Sequence, residues 1–121
     1  MVIGLFVNEV NIINFLNQAA RDNMDIRIST MTECEIFSGV ISELEHTDIR
    51  FLNSQRYIDI NSKIARLAGN IRREQKLKGR KLKAPDAIII ATAIEYNLAL
   101  VSRDSDMNFV EIEYGINLIK L

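Results

Sequence analysis

Three carboxylates stand where an α/β chain performs chemistry. Glu35 follows an apolar run at the start of a helix, Asp86 opens another helix, and Asp104 lies just beyond a further apolar run, with Asp106 close behind. Gathered together, such acids raise one another's pKa, and a bound cation removes that cost. Oxygen-only ligands suit Mg²⁺ or Mn²⁺. An ion of that kind acidifies a bound water and stabilises charge on a phosphate under in-line attack. Phosphate needs cations as well, and this chain concentrates them. Nine of its fifteen Lys and Arg lie between Lys63 and Lys83, where Glu74 is the only acid, so that stretch carries +8 and the rest −9. The combination points to metal-dependent phosphodiester hydrolysis, with the basic stretch holding a nucleic-acid backbone. Each residue also has a structural reading. Glu35 stands at capping-box spacing from Thr32, Asp86 suits the positive end of a helix, Asp104 and Asp106 suit a turn, and the basic stretch suits a solvated face.

Periodicity supplies the elements that must hold these acids. Val2–Val7 is apolar and β-prone and reads as a buried first strand. Ile12, Ile13, Phe15, Leu16 and Ala19 or Ala20 follow at helical spacing. Ile26–Thr30 reads as a second strand. A helix from Thr32 carries Cys34, Ile36, Phe37 and Ile41. The segment 45–59 is ambiguous, with a short helix over Ile49–Leu52 and then Tyr57–Ile60 extended. Ile64, Leu67, Ala68 and Ile71 fall at i, i+3, i+4 and i+7, with Lys63, Arg66, Arg72, Arg73 and Lys76 on the other faces and Gly79 as the end. Arg80, Lys81 and Lys83 form a basic loop. Pro85 and Asp86 begin a helix through Ile89, Ile90, Ala93 and Ile94, stopped at Asn97. Leu98–Ser102 is a strand, and Phe109–Ile112 and Leu118–Leu121 read as further short strands. Strands alternating with helices predict an α/β sandwich with a mainly parallel sheet, whose sites form beyond the carboxyl ends of the strands.

A chain of 121 residues with 48% hydrophobic and 26% charged residues predicts one folded domain over 1–121. A single cysteine, Cys34, excludes an internal disulfide framework and a multi-cysteine zinc site. The first apolar run lacks a basic leader and is too short to span a bilayer, so a cytoplasmic location is expected. Cys34 and His46 could form a nucleophile–base pair, but Cys34 is expected in the core. The glycines are scattered, and no phosphate-cradling loop is evident. Tyr57, Tyr96 and Tyr114 are isolated and suit packing better than base stacking.

Over nearly its whole length the sequence resembles the PIN-domain ribonucleases, above all the VapC-type toxins of toxin–antitoxin pairs. Residues 29–39 (STMTECEIFSG) resemble the family's strand-to-helix segment, with its acid four residues before a glycine. Residues 84–93 (APDAIIIATA) resemble its Asp-Ala helix start, and residues 100–106 (LVSRDSD) its final acidic turn. The resemblance implies a three-layer PIN-like sandwich, Mg²⁺ or Mn²⁺ as cofactor, and RNA as substrate. It implies that Glu35, Asp86 and Asp104 serve as metal and catalytic residues, with Asp106 a helper. It also implies a homodimer and a small antitoxin covering the acidic cleft. In that picture Arg72, Arg73, Lys76 and Arg80 contact the RNA backbone.

The departure is at the first strand. The family ends it with Asp-Thr-Asn, whereas this chain has Val7-Asn8-Glu9-Val10-Asn11 and no Asp before Asp22. Without a gap, Asn8 replaces the Asp; a one-residue shift puts Glu9 there instead. A charge pair at about 4 Å is worth about 4 kcal/mol at an intermediate dielectric, so losing one carboxylate weakens the metal site. Two other classes of function are therefore weighed. A catalytically inactive RNA-binding or partner-binding module would bind RNA without cleaving it. A receiver-like phosphoacceptor needs an acidic pair after the first strand, and Asn8 and Glu9 supply only one acid.

Overall fold

A computed structural model describes residues 2–3, 11–39, 45–102 and 107–120. The elements are β1 (Val2–Ile3), α1 (Asn11–Arg21), β2 (Arg27–Ser29), α2 (Thr30–Gly39), α3 (His46–Asn53), β3 (Arg56–Ile58), α4 (Ser62–Leu77), α5 (Ala84–Glu95), β4 (Leu100–Ser102), α6 (Phe109–Tyr114) and β5 (Leu118–Lys120). The sheet order is β3-β2-β1-β4-β5, and every neighbouring pair is parallel. Parallel neighbours require crossovers, and the intervening helices supply them.

Alternation along the strands sorts the core into two clusters. Leu100 packs with Ile64, Ile71, Ile89 and Ile90 from α4 and α5, whereas the adjacent Val101 packs with Leu16, Ile36 and Leu52 from α1, α2 and α3. Ile58 and Tyr57, and Leu118 and Ile119, divide the same way. Neighbouring strand residues point to opposite faces, so the two clusters lie on opposite sides of one sheet. This is the three-layer α/β sandwich expected from the sequence.

The two long helices form for different reasons. In α4 the buried Ile64, Ala68, Ile71 and Gln75 define one stripe, and the Asn61 side chain caps the start by accepting the Ile64 amide at 2.9 Å. The helix closes through Lys78, and Gly79 takes φ +82°, which glycine adopts without strain. In α5, Ala87, Ile89, Ile90, Ala91, Thr92 and Ala93 are all buried. A helix apolar on nearly every side must lie inside, and α5 packs on α4, α2 and β1. Pro85 stands in its first turn, where the missing amide costs nothing.

Several local expectations are corrected. The second helix begins at Thr30, not Thr32. Ser29 Oγ accepts the Met31 amide at 3.1 Å and does the capping, while Thr32 is buried within the helix. Glu35 therefore sits in the second turn and is not a capping-box partner. Residues 109–112 are not a strand but part of α6, which ends at Gly115 with φ +66°. Its Phe109 and Val110 are buried while Ile112 is 90% exposed, a pattern that strand alternation does not produce. Cys34 is exposed rather than in the core. The helix expected over Ile49–Leu52 extends over α3, and the expected extension of β1 to Val7 and of α2 to Ile41 lies outside the described residues. No helix among the described residues is long and apolar enough to cross a membrane.

Candidate metal and nucleic-acid site

All five strands point the same way, so their carboxyl ends share one edge of the sheet. Strand order reverses between β1 and β4, the kind of switch point at which open parallel sheets bind ligands. Glu35 in α2 and Asp86 in the first turn of α5 belong to helices that pack on one another.

The two acids feel each other. Burial pushes the Glu35 carboxyl above the ordinary glutamate range, and the Asp86 charge raises it further. Glu35 Oε1 is buried with no hydrogen-bond partner among the described residues. A carboxylate oxygen in that state is costly unless a proton or a cation reaches it. The donor set is hard oxygen only, which suits a divalent ion such as Mg²⁺ or Mn²⁺. Among the described residues no three His, Cys, Asp or Glu side chains converge, so this portion supplies a pair. Asn8, Glu9, Asp104 and Asp106 lie outside the described residues.

The sign of the resulting pH dependence is fixed. A carboxyl whose folded pKa is raised binds protons more readily in the native state than in the unfolded chain. Its contribution is best at pH below the ordinary glutamate pKa and is lost as pH rises through the raised value. Metal-free protein is thus expected to lose thermal stability from this group as pH rises above the ordinary glutamate range, and Glu35→Gln to flatten that slope. Melting curves in EDTA across that range check it; an unchanged slope in the variant would place the strain elsewhere.

The basic stretch divides into two uses. Arg72, Arg73, Lys76, Arg80 and Lys81 line a groove of about 610 Å³ at the end of α4, and its loop runs into Lys83, the N-cap of α5, whose first turn carries Asp86. Arg72 is tied to the loop through Nε, which donates to the Leu82 carbonyl at 3.1 Å. Arg73 donates to Asn70 Oδ1 at 2.8 Å. Lys63 instead pairs with Glu95 at 2.8 Å, away from the groove. Four residues named from sequence therefore share one surface.

One polar network was not anticipated. Glu113 of α6 accepts hydrogen bonds from Lys78 and Arg80, and from the buried Gln75 at 3.1 Å. These donors, Lys78 foremost, hold its carboxyl down to about 2. Gln75 also donates to Tyr114 Oη at 3.0 Å, and that hydroxyl donates to Glu74 at 2.9 Å. Gln75 at the i+11 position of the α4 stripe was the one available signal, because it is a polar residue on an apolar face.

The PIN domain matches residues 2–113 of the chain. No curated protein matches it at a significant level. Among solved structures, VapBC2 from Rickettsia felis bound to a promoter DNA fragment is similar at 23% identity and TM-score 0.74, over 98% of this chain and 96% of that one. A toxin–antitoxin complex from Klebsiella pneumoniae is similar at 26% identity and TM-score 0.66, over 93% and 92%. VapBC-5 of Mycobacterium tuberculosis, from a family of toxin–antitoxin systems, is similar at 16% identity and TM-score 0.72, over 99% and 97%.

Proposed function

The chain belongs to the PIN-domain family, and from that premise we propose that it is a metal-dependent endoribonuclease, the toxin of a toxin–antitoxin pair. The observation that carries the reading is the buried Glu35 oxygen, without a hydrogen-bond partner among the described residues, beside the charge of Asp86. Glu35, Asp86 and Asp104 would hold Mg²⁺ or Mn²⁺, with Asn8 or Glu9 and Asp106 completing the site. When bound, the ion supplies an acidified water and offsets charge on the phosphate. The chain's own residues do the remaining work. Glu35 and Asp86 are fixed by two packed helices, so little rearrangement is needed to receive a cation. The groove from Arg72 to Lys81 holds the strand beside them, and its charge draws RNA in with strong dependence on salt. Structures similar in fold and in length are toxin–antitoxin complexes, which supports a small antitoxin as partner. A cytoplasmic homodimer is the assembly proposed with it.

A second reading rests on the first strand, where Asn8 or Glu9 stands at the family's Asp position. It makes the chain an inactive RNA- or partner-binding module. Incubating labelled single-stranded RNA with Mn²⁺, Mg²⁺ or EDTA separates the two. Cleavage that requires metal is expected. Binding without cleavage at millimolar Mn²⁺, with activity regained in Asn8→Asp, would replace the first reading with the second.

A further inference from the structure

The basic groove contains one cation that is anchored on a buried side chain. The Arg80 guanidinium is gripped on one edge, where Nη1 donates to Gln75 Oε1 at 2.7 Å and to Glu113 Oε2. It sits over the Phe109 ring, with Cζ 4.9 Å from the centroid. Gln75 is fully buried and itself donates to Glu113, so the grip is built into the core. Nε and Nη2 of Arg80 make no hydrogen bond among the described residues, and Arg80 lines the groove. Lys76, by contrast, has no ion-pair partner among the described residues and sits on a flexible stem. A guanidinium fixed on one edge and bare on the other is prepared to meet two oxygens of one phosphate with little ordering cost.

We propose that Arg80 is the groove's phosphate clamp, taking one backbone phosphate of single-stranded RNA on its Nε–Nη2 edge. Glu113 and Gln75 are positioning residues that hold the clamp open toward it. The inference rests on the RNA reading above and adds a division of labour. Lys76, Arg72 and Arg73 contribute charge, whereas Arg80 contributes geometry. Glu113 thus strengthens RNA binding although it is itself an anion.

That sign makes the test decisive. Binding of a labelled single-stranded RNA oligonucleotide is measured by anisotropy in EDTA, which keeps the strand intact, over a range of salt. Arg80→Lys keeps the charge and loses the fork, and is expected to weaken binding about tenfold with an unchanged salt slope. Lys76→Gln is expected to lower the slope by about 0.7, the loss of one neutralised phosphate on a single strand. Glu113→Gln removes a negative charge beside the groove. Charge alone predicts tighter binding; positioning predicts binding weakened about fivefold, and a double variant no weaker than Arg80→Lys alone. Melting curves confirm that each variant is folded, and Arg80→Lys decides the matter if Glu113→Gln is not. Wild-type binding with Arg80→Lys unaffected, or a tighter Glu113→Gln, overturns the clamp alone. A wild-type chain that binds no RNA at low salt overturns the RNA reading and the clamp together.

Discussion

Asp86→Asn is expected to lower metal-dependent RNA cleavage about a thousandfold. The substitution keeps the size of the side chain and its place in the first turn of α5. It removes one of the two carboxylates that the described structure brings together. A carboxylate–cation interaction at about 4 Å is worth about 4 kcal/mol at an intermediate dielectric, which corresponds to about three decades in rate. Stability should change little, because two effects oppose. The helix start loses a favourable anion, while Glu35 loses a repelling neighbour. Single-turnover cleavage at saturating Mn²⁺, with a melting curve in EDTA, separates these contributions. Activity within a factor of a few of wild type would remove Asp86 from the site.

The second large effect falls on stability. Ile90 is fully buried and belongs to the cluster that joins α4, α5, β4 and α6. Truncation to Ala is expected to cost about 3 kcal/mol, the removed methyl and methylene groups plus the cavity they leave. Ile112 is also an isoleucine on a short helix, but 90% exposed. Its truncation should cost less than about 0.5 kcal/mol. Urea unfolding of the two variants makes the comparison, and similar losses would contradict the burial assigned to α5.

What the sequence made legible depended on how local the cause was. The α4 stripe and the Pro85–Asp86 start of α5 were readable because spacing and capping act within a turn or two. The end of β2 was read one residue too late, at Thr30 rather than Ser29, and the helix start was misplaced by two residues. Thr32 and Glu35 have capping-box spacing, and only the Ser29-to-Met31 bond shows that the cap had already formed. Residues 109–112 offered too few positions to distinguish helix from strand, since short apolar runs fit both periods. Cys34 was expected inside because a helix starting at Thr32 would put it on the apolar side, yet the helix that starts at Thr30 turns it to solvent. At the site, the nearness of Glu35 and Asp86 came from the resemblance and from strand-end logic, and the packing of α2 on α5 gives it a physical basis. The bond between Glu113 and Arg80 spans thirty-three residues. No local rule connects positions so far apart, so it appears only once the chain is folded.

The position of β1 at the centre of the sheet governs the order in which the molecule can be assembled. Its two neighbours are β2, which begins at Arg27, and β4, which begins at Leu100. During synthesis β1 can pair early on one side, but its other edge stays open until most of the chain has been made. Loop closure over that separation is slow, and an open parallel edge is exposed to wrong partners meanwhile. Asp86 emerges before β4 can dock, so the acid pair gains its supporting sheet late. A nascent or truncated chain ending before residue 100 should therefore be aggregation-prone, and a chain that includes β4 should be less so.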